Sequence, residues 1–345
     1  MSHLRAIALR LVIGTLGLAG LLLAAPALST AQNTNQDTID DGLEFRNDLL
    51  YGMPTDDATA YEPTVLATAP SAEQQARRPV LAFSLLAPLN YNSNAEFARS
   101  DGTETVEGSP EIRIGSATQL GSLPIRVSGS VALEWDRFVS SKIAGFDKIR
   151  PRLQAQYVDA DDDQAFSPFF GFSPRWDYTP TFADNFATRY DLNLGVYKSF
   201  RFDEAFGRVP ASGNSSAATA LSLGYTIIGQ RRFREPAPPS TALLVIPSAS
   251  YRISDIWSCA LAIELTQRWF DGNQGVSQNN FTFYPLGVVE LDIPDRWLGG
   301  PEVARWLGRP ALDFFGGVER NWSNVTSVNF VQWTAGFAIK GAWRL

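Results

Sequence analysis

The stretch LPIRVSGSVALEWD, residues 123–136, followed by KIRPRLQAQYV, residues 148–158, decides how the rest of the chain is read. In the first run Ile125, Val127, Gly129, Val131, Leu133 and Trp135 fall on one face of an extended strand, and Arg126, Ser128, Ser130, Ala132, Glu134 and Asp136 fall on the other. In the second, Ile149, Pro151, Leu153, Ala155 and Tyr157 alternate with Arg150, Arg152, Gln154 and Gln156. The period is two, that of a strand and not of a helix.

Alternation alone also suits the half-buried strand of a soluble sandwich. Length and end chemistry separate the two cases. Each run lasts about ten residues or more, the length a tilted strand needs to cross a bilayer, whereas strands of soluble proteins are most often ~5–6 residues long. The apolar face ends in Trp135 on one strand and Tyr157 on the next, as expected where a lipid-facing surface meets headgroups. The pair reads as two staves of a transmembrane β-barrel. With this pair, staves are predicted near 79–90, 110–118, 123–137, 147–158, 167–178, 187–200, 217–230, 241–253, 257–270, 280–292, 311–322 and 326–345. The fold class is therefore all-β, an antiparallel barrel of about twelve strands, an even number as in bacterial single-chain barrels.

Residues 1–31 read as a signal peptide: His3, Arg5 and Arg10 precede an apolar run over 11–25, and Ser29-Thr30-Ala31 offers a cleavage site. Residues 32–78, rich in Asp, Thr, Ala, Gln and Pro without a sustained period, read as a flexible periplasmic segment that could also plug the lumen; the barrel occupies 79–345. Cleavage would leave 27 basic residues against 36 acidic ones, a formal charge of −9, which argues against nucleic acid as a partner. It would also remove His3, the only histidine, and with it any Ser-His or Cys-His nucleophile or His-ligated metal site. No catalytic residue, metal site or cofactor is therefore expected, and Cys259 is the single cysteine. The acidic run 159–163 lacks the Gly and terminal Glu of a calcium loop and reads as a solvated turn.

Aromatic residues sort by strand end. Trp135, Trp176, Tyr178, Trp269, Tyr190 and Phe281 fall at one rim, and Tyr157, Tyr251, Trp257 and Trp343 at the other, as two membrane interfaces would require. Short turns at 120–122 and 254–255 are predicted on the periplasmic side, and polar loops at 92–109, 231–240 and 271–279 on the external side. The connections 202–216 and 294–310 are predicted to be periplasmic yet long, the second holding a short interfacial helix with Trp297, Trp306 and Leu307.

The last run, FVQWTAGFAIKGAWRL, puts Val331, Trp333, Phe337, Ile339, Trp343 and Leu345 on one face. In this the chain resembles the bacterial outer-membrane β-barrel superfamily, whose members typically end in an alternating strand with a terminal aromatic residue. The resemblance implies residence in the outer membrane, contact with its lipid and lipopolysaccharide, and recognition of Phe337, Ile339, Trp343 and Leu345 by the barrel assembly machinery. This chain departs from the pattern in ending on Leu345.

On the inward face, Arg150, Arg152, Arg175 and Arg189 are predicted to gather near the external end with Glu134, Asp136, Asp177 and Asp191. Two readings follow: a charged constriction of a porin-like channel passing small hydrophilic solutes, since charged rings set selectivity in pores, or a salt-bridge lattice that closes a structural barrel. The second would belong to an envelope or exopolysaccharide-export complex, with a periplasmic partner for residues 32–78. Small inward residues, Ser222, Ser248, Ser250, Ala260 and Ala262, leave room for water.

Overall fold

In a computed structural model, residues 80–94, 103–141, 143–158, 166–201, 220–234, 238–254, 256–271 and 278–344 are described. The segments 1–31 and 32–78, the acidic run 159–163, the connection 202–216 and Leu345 lie outside them.

The strands are β1 (Val80–Asn92), β2 (Thr105–Gly108), β3 (Glu111–Gln119), β4 (Ile125–Phe138), β5 (Phe146–Tyr157), β6 (Ser167–Tyr178), β7 (Asn185–Arg201), β8 (Ala220–Arg234), β9 (Ser240–Arg252), β10 (Trp257–Phe270), β11 (Asn279–Asp292), β12 (Ala311–Ser323) and β13 (Phe330–Arg344). Every described pairing is antiparallel and, with β2 and β3 counted together, joins staves that are neighbours in sequence, until β13 returns to β1 from Ala82↔Arg344 to Asn92↔Thr334. That last ladder closes the sheet on itself, so no strand edge is left without a backbone partner, the condition for crossing lipid with strands.

β2 and β3 are one stave with a break. Both pair with β1 and with β4, one above the other, and the gap between them is Ser109-Pro110. Proline cannot donate to a ladder, yet its carbonyl still accepts from the Trp135 amide at 3.0 Å, so the wall stays continuous. The barrel thus has twelve staves. The predicted boundaries hold within a few residues, with three corrections. Residues 105–108 and 231–234, read as external loop, form β2 and the end of β8, and the final stave begins at Phe330 because Thr326–Val328 forms a 3-10 turn.

Burial alternates along the staves. Even-numbered residues point inward on β4, β5, β10 and β11, and odd-numbered ones on β3, β6 and β12. The opposite faces carry Leu81, Ile114, Val131, Leu153, Phe170, Leu192, Leu223, Leu243, Leu261, Val289, Phe314 and Trp333, all exposed. A fold with its charges inside and its large apolar side chains outside is inside-out relative to a soluble domain, and lipid is the solvent that makes this favourable.

Gly121, at φ 60°, makes the tight turn between β3 and β4. On the same side the connection 293–310 holds two short helices, α1 (Asp295–Leu298) and α2 (Pro301–Trp306), where one was predicted. Gly299 and Gly300 separate them at φ 108° and 129°, a conformation that other residues rarely adopt.

The candidate functional site is the lumen

The external half of the lumen is organised in rows set by strand register. One row runs Glu111↔Glu134↔Lys148↔Asp177 across β3, β4, β5 and β6. In the row beneath, Arg113 and Arg150 flank Ala132, and Arg175↔Arg189↔Arg232 continues across β6, β7 and β8. Like charges directly opposite one another repel, so the guanidinium row is stable only because carboxylates interleave with it.

Each carboxylate has an identified duty. Asp177 accepts from Arg175 Nε at 2.7 Å and Nη2 at 2.8 Å, and Arg232 Nη2 lies 3.5 Å from it on the other side. Glu111 binds Arg113 at 2.6 Å through one oxygen and Arg150 at 2.8 Å through the other. Lys148 sits between Glu134 at 3.0 Å and Asp136 at 2.8 Å. Arg189 closes on Asp191, one row deeper, at 2.7 Å. Two-residue spacing along a strand returns to the same face, so Arg175–Asp177, Arg189–Asp191 and Arg113–Glu111 form within single staves, while Arg150–Glu111 and Arg232–Asp177 cross between staves.

All eight residues predicted for the site are buried in the lumen, and the lattice just described includes each of them except Arg152, which is buried in the row below. Glu111, Arg113, Lys148 and Arg232 were missed. Lys148 shares the parity of Arg150, so its signal was present. Arg232 was hidden because RRFREPAPPS, with its prolines, reads as loop. Glu111 and Arg113 follow Pro110 on a stave whose upper half went unrecognised. Among the described residues no His, Cys, Asp and Glu cluster is arranged to hold a metal ion.

The wall opposite the lattice combines buried polar side chains, among them Gln230, Glu264, Arg268 and Glu319, with an apolar cluster. Leu86, Ile228, Leu244, Ile246, Tyr284, Leu286, Val288 and Phe315 pack with Ala242, Ala260, Ala262 and Ala338 into one buried cluster, and their positions are inward ones. Ala260 and Ala262, predicted as water-lined, are packed inside this collar; the expectation failed because small side chains there are overlaid by larger neighbours. Ser222, Ser248 and Ser250 are half-buried, together with Gly224 and Arg252, in the periplasmic half of β8 and β9. A second charge cluster lies at that end on other staves, where Lys340 is paired with Glu290 and lies 3.4 Å from Asp313.

Three aromatic rings lie along the wall over glycines of the next stave. A Cβ at Gly317 would stand 2.8 Å from the Tyr284 ring, one at Gly336 would stand 2.7 Å from the Phe315 ring, and one at Gly195 would overlap the Phe169 ring. The glycines let the rings lie flat against the barrel instead of projecting across it.

A closed antiparallel barrel with an apolar exterior and an ionic interior defines the class: the chain has the architecture of a transmembrane β-barrel protein. No protein-family model matches it, and no curated protein sequence does. Among solved structures it is similar to an outer-membrane channel from Pseudomonas putida F1, at 12% identity and TM-score 0.44, over 76% of this chain and 95% of that one. It is also similar to the KdgM porin, at 9% identity and TM-score 0.33, over 74% and 97% of the two chains. OmpT, an outer-membrane protein of Vibrio cholerae, matches at 9% identity and TM-score 0.34, over 77% and 98%. These likenesses are of fold.

Proposed function

We propose that the protein is a narrow channel for passive diffusion of small hydrophilic solutes, with the Arg/Asp/Glu lattice as its constriction. The observation that supports this most is the contrast between the two halves of the lumen. Ser222, Gly224, Ser248, Ser250 and Arg252 are only half-buried on the periplasmic side, whereas the lattice above them is almost wholly buried. A wet vestibule leading to a charged narrowing is the arrangement of a filter. The lattice is internally compensated, so wild-type selectivity between small cations and anions is weak.

The test is a planar-bilayer recording on purified protein. Wild type conducts in small steps, and replacing Arg150, Arg152, Arg175 and Arg189 with Gln moves the reversal potential toward cations, because Glu111, Glu134, Asp177 and Asp191 are then uncovered within low-dielectric walls. The burial of the lattice also favours a second reading, a barrel closed by its own side chains and serving a partner complex. Silence of the wild type, of the quadruple variant and of a chain lacking 32–78 decides for that reading.

A further inference from the structure

We infer that the elbow formed by α1 and α2 is a docking surface for phospholipid, seated in the headgroup region of the periplasmic leaflet and not in the aqueous periplasm. The inference is independent of whether the lumen conducts.

The elbow does not hang below the barrel. Its last turn is fastened to the final stave: the Ala342 amide donates to the Gly308 carbonyl at 2.8 Å, and Trp343 Nε1 donates to the Trp306 carbonyl at 2.9 Å. A Cβ at Gly308 would stand 2.7 Å from the Trp343 ring, and Gly308 itself has φ 73°. These attachments are on the lipid side of the wall. Lys340 points inward to Glu290 and Asp313, so Gly341 points outward, and a Cβ there would meet the Leu307 carbonyl at 3.1 Å. One step up the same face, Ile339 and its cross-strand partner Ala87 are only 8% and 5% exposed, whereas Trp333 on that face is 62% exposed.

An element clamped to the outer wall presents its free side to what surrounds the wall. Exposed on the elbow are Trp306, at 77%, Trp297 and Val303, with Arg296, Arg305 and Glu302 exposed on the same two helices. Indole rings next to guanidinium groups suit the boundary between acyl chains and phosphates. The surface is continuous with the periplasmic aromatic rim, where Phe83 packs on Trp343 across the β1–β13 closure at 5.3 Å between ring centroids. A water-facing loop would leave Trp306 as an unsupported apolar exposure.

The test places a nitroxide label at position 306, by Trp306→Cys in a Cys259→Ser background, in phosphatidylethanolamine–phosphatidylglycerol vesicles. Collision with oxygen and with a water-soluble nickel chelate is compared with labels at Val331, on the lipid face, and Asn324, in an external loop. The inference expects position 306 to lose nickel access and keep oxygen access, as Val331 does. Access like that of Asn324 overturns it, and so does loss of access to both reagents, which would mean a protein covers the elbow. If Trp306→Cys fails to assemble, the label at Val303 gives the same reading.

Discussion

The charges of this barrel differ in worth by where they sit. Asp177 holds two guanidinium groups inside the lumen, and Asp177→Asn removes that negative charge from Arg175 and Arg232, which flank Arg189 in a buried row. Breaking a buried pair by removing one partner costs about 3–5 kcal/mol, so the variant is expected to lose its compact, unheated gel form at a distinctly lower temperature than wild type. Arg231 and Asp271 form a comparably short pair, 2.5 Å apart, but on the exposed rim, and Asp271→Asn is expected to leave that temperature unchanged. The same pair makes a pH prediction. The hydrogen bond from Arg231 holds the Asp271 carboxyl below its ordinary value, against a smaller opposing effect of burial. A carboxylate depressed by folding contributes stability above its unfolded pKa and loses it as pH falls through the folded one. A side-chain NMR titration of Asp271 should therefore show a midpoint below the usual aspartate value, and Arg231→Gln should restore it.

At the scale of the strand, the informative residues are glycines whose missing side chain is occupied by a neighbouring element. Gly336 lies under the Phe315 ring and closer still to the Leu89 carbonyl, which belongs to the β1–β13 closure. The ring could turn aside for a methyl group, but the backbone carbonyl could do so only by opening that ladder. Overpacking of this kind typically costs about 1–3 kcal/mol. Gly336→Ala is accordingly expected to reduce the yield of heat-modifiable barrel, whereas Gly287→Ala, whose added Cβ would meet nothing nearer than a carbonyl at 3.9 Å, should assemble like wild type. Equal yields would mean that the closing ladder tolerates displacement.

For the whole molecule, the inside-out distribution of polarity is the property that places the chain in a membrane. Leu261 on the outer face of β10 is exposed, and Ser248 on the inner face of β9 is half-buried. Leu261→Arg puts a charge into hydrocarbon at a cost of ~2–4 kcal/mol near the midplane, and Ser248→Arg puts the same charge into a polar lumen. Outer-membrane insertion, followed by resistance of the folded barrel to protease, should fail for the first and persist for the second. The packing of Ala262 into the apolar collar adds a contrast within one face: Ala262→Arg is inward too, yet its side chain would overpack the cluster that buries Ala262 completely.

The all-β class, the even stave number, the inward parity of the eight predicted charges and the lipid-facing aromatics were legible from period, run length and strand-end chemistry. Those signals are local: a side chain's face depends on counting by two along its own strand, and lipid outside with water inside makes that count visible in the residue types. Which charge meets which was not legible, because it depends on the stagger between strands that are distant in the chain. Arg150 reaches Glu111 across β4, and Arg232 reaches Asp177 across β7, and neither spacing is marked by any motif. The apolar collar was unreadable for the same reason, since Leu86, Ile228 and Val288 come together only when the sheet closes. Closure likewise turns the elbow back onto the outer wall: Trp343 reads as the end of a strand in sequence and becomes, in the folded barrel, the fastening for residues 306–308.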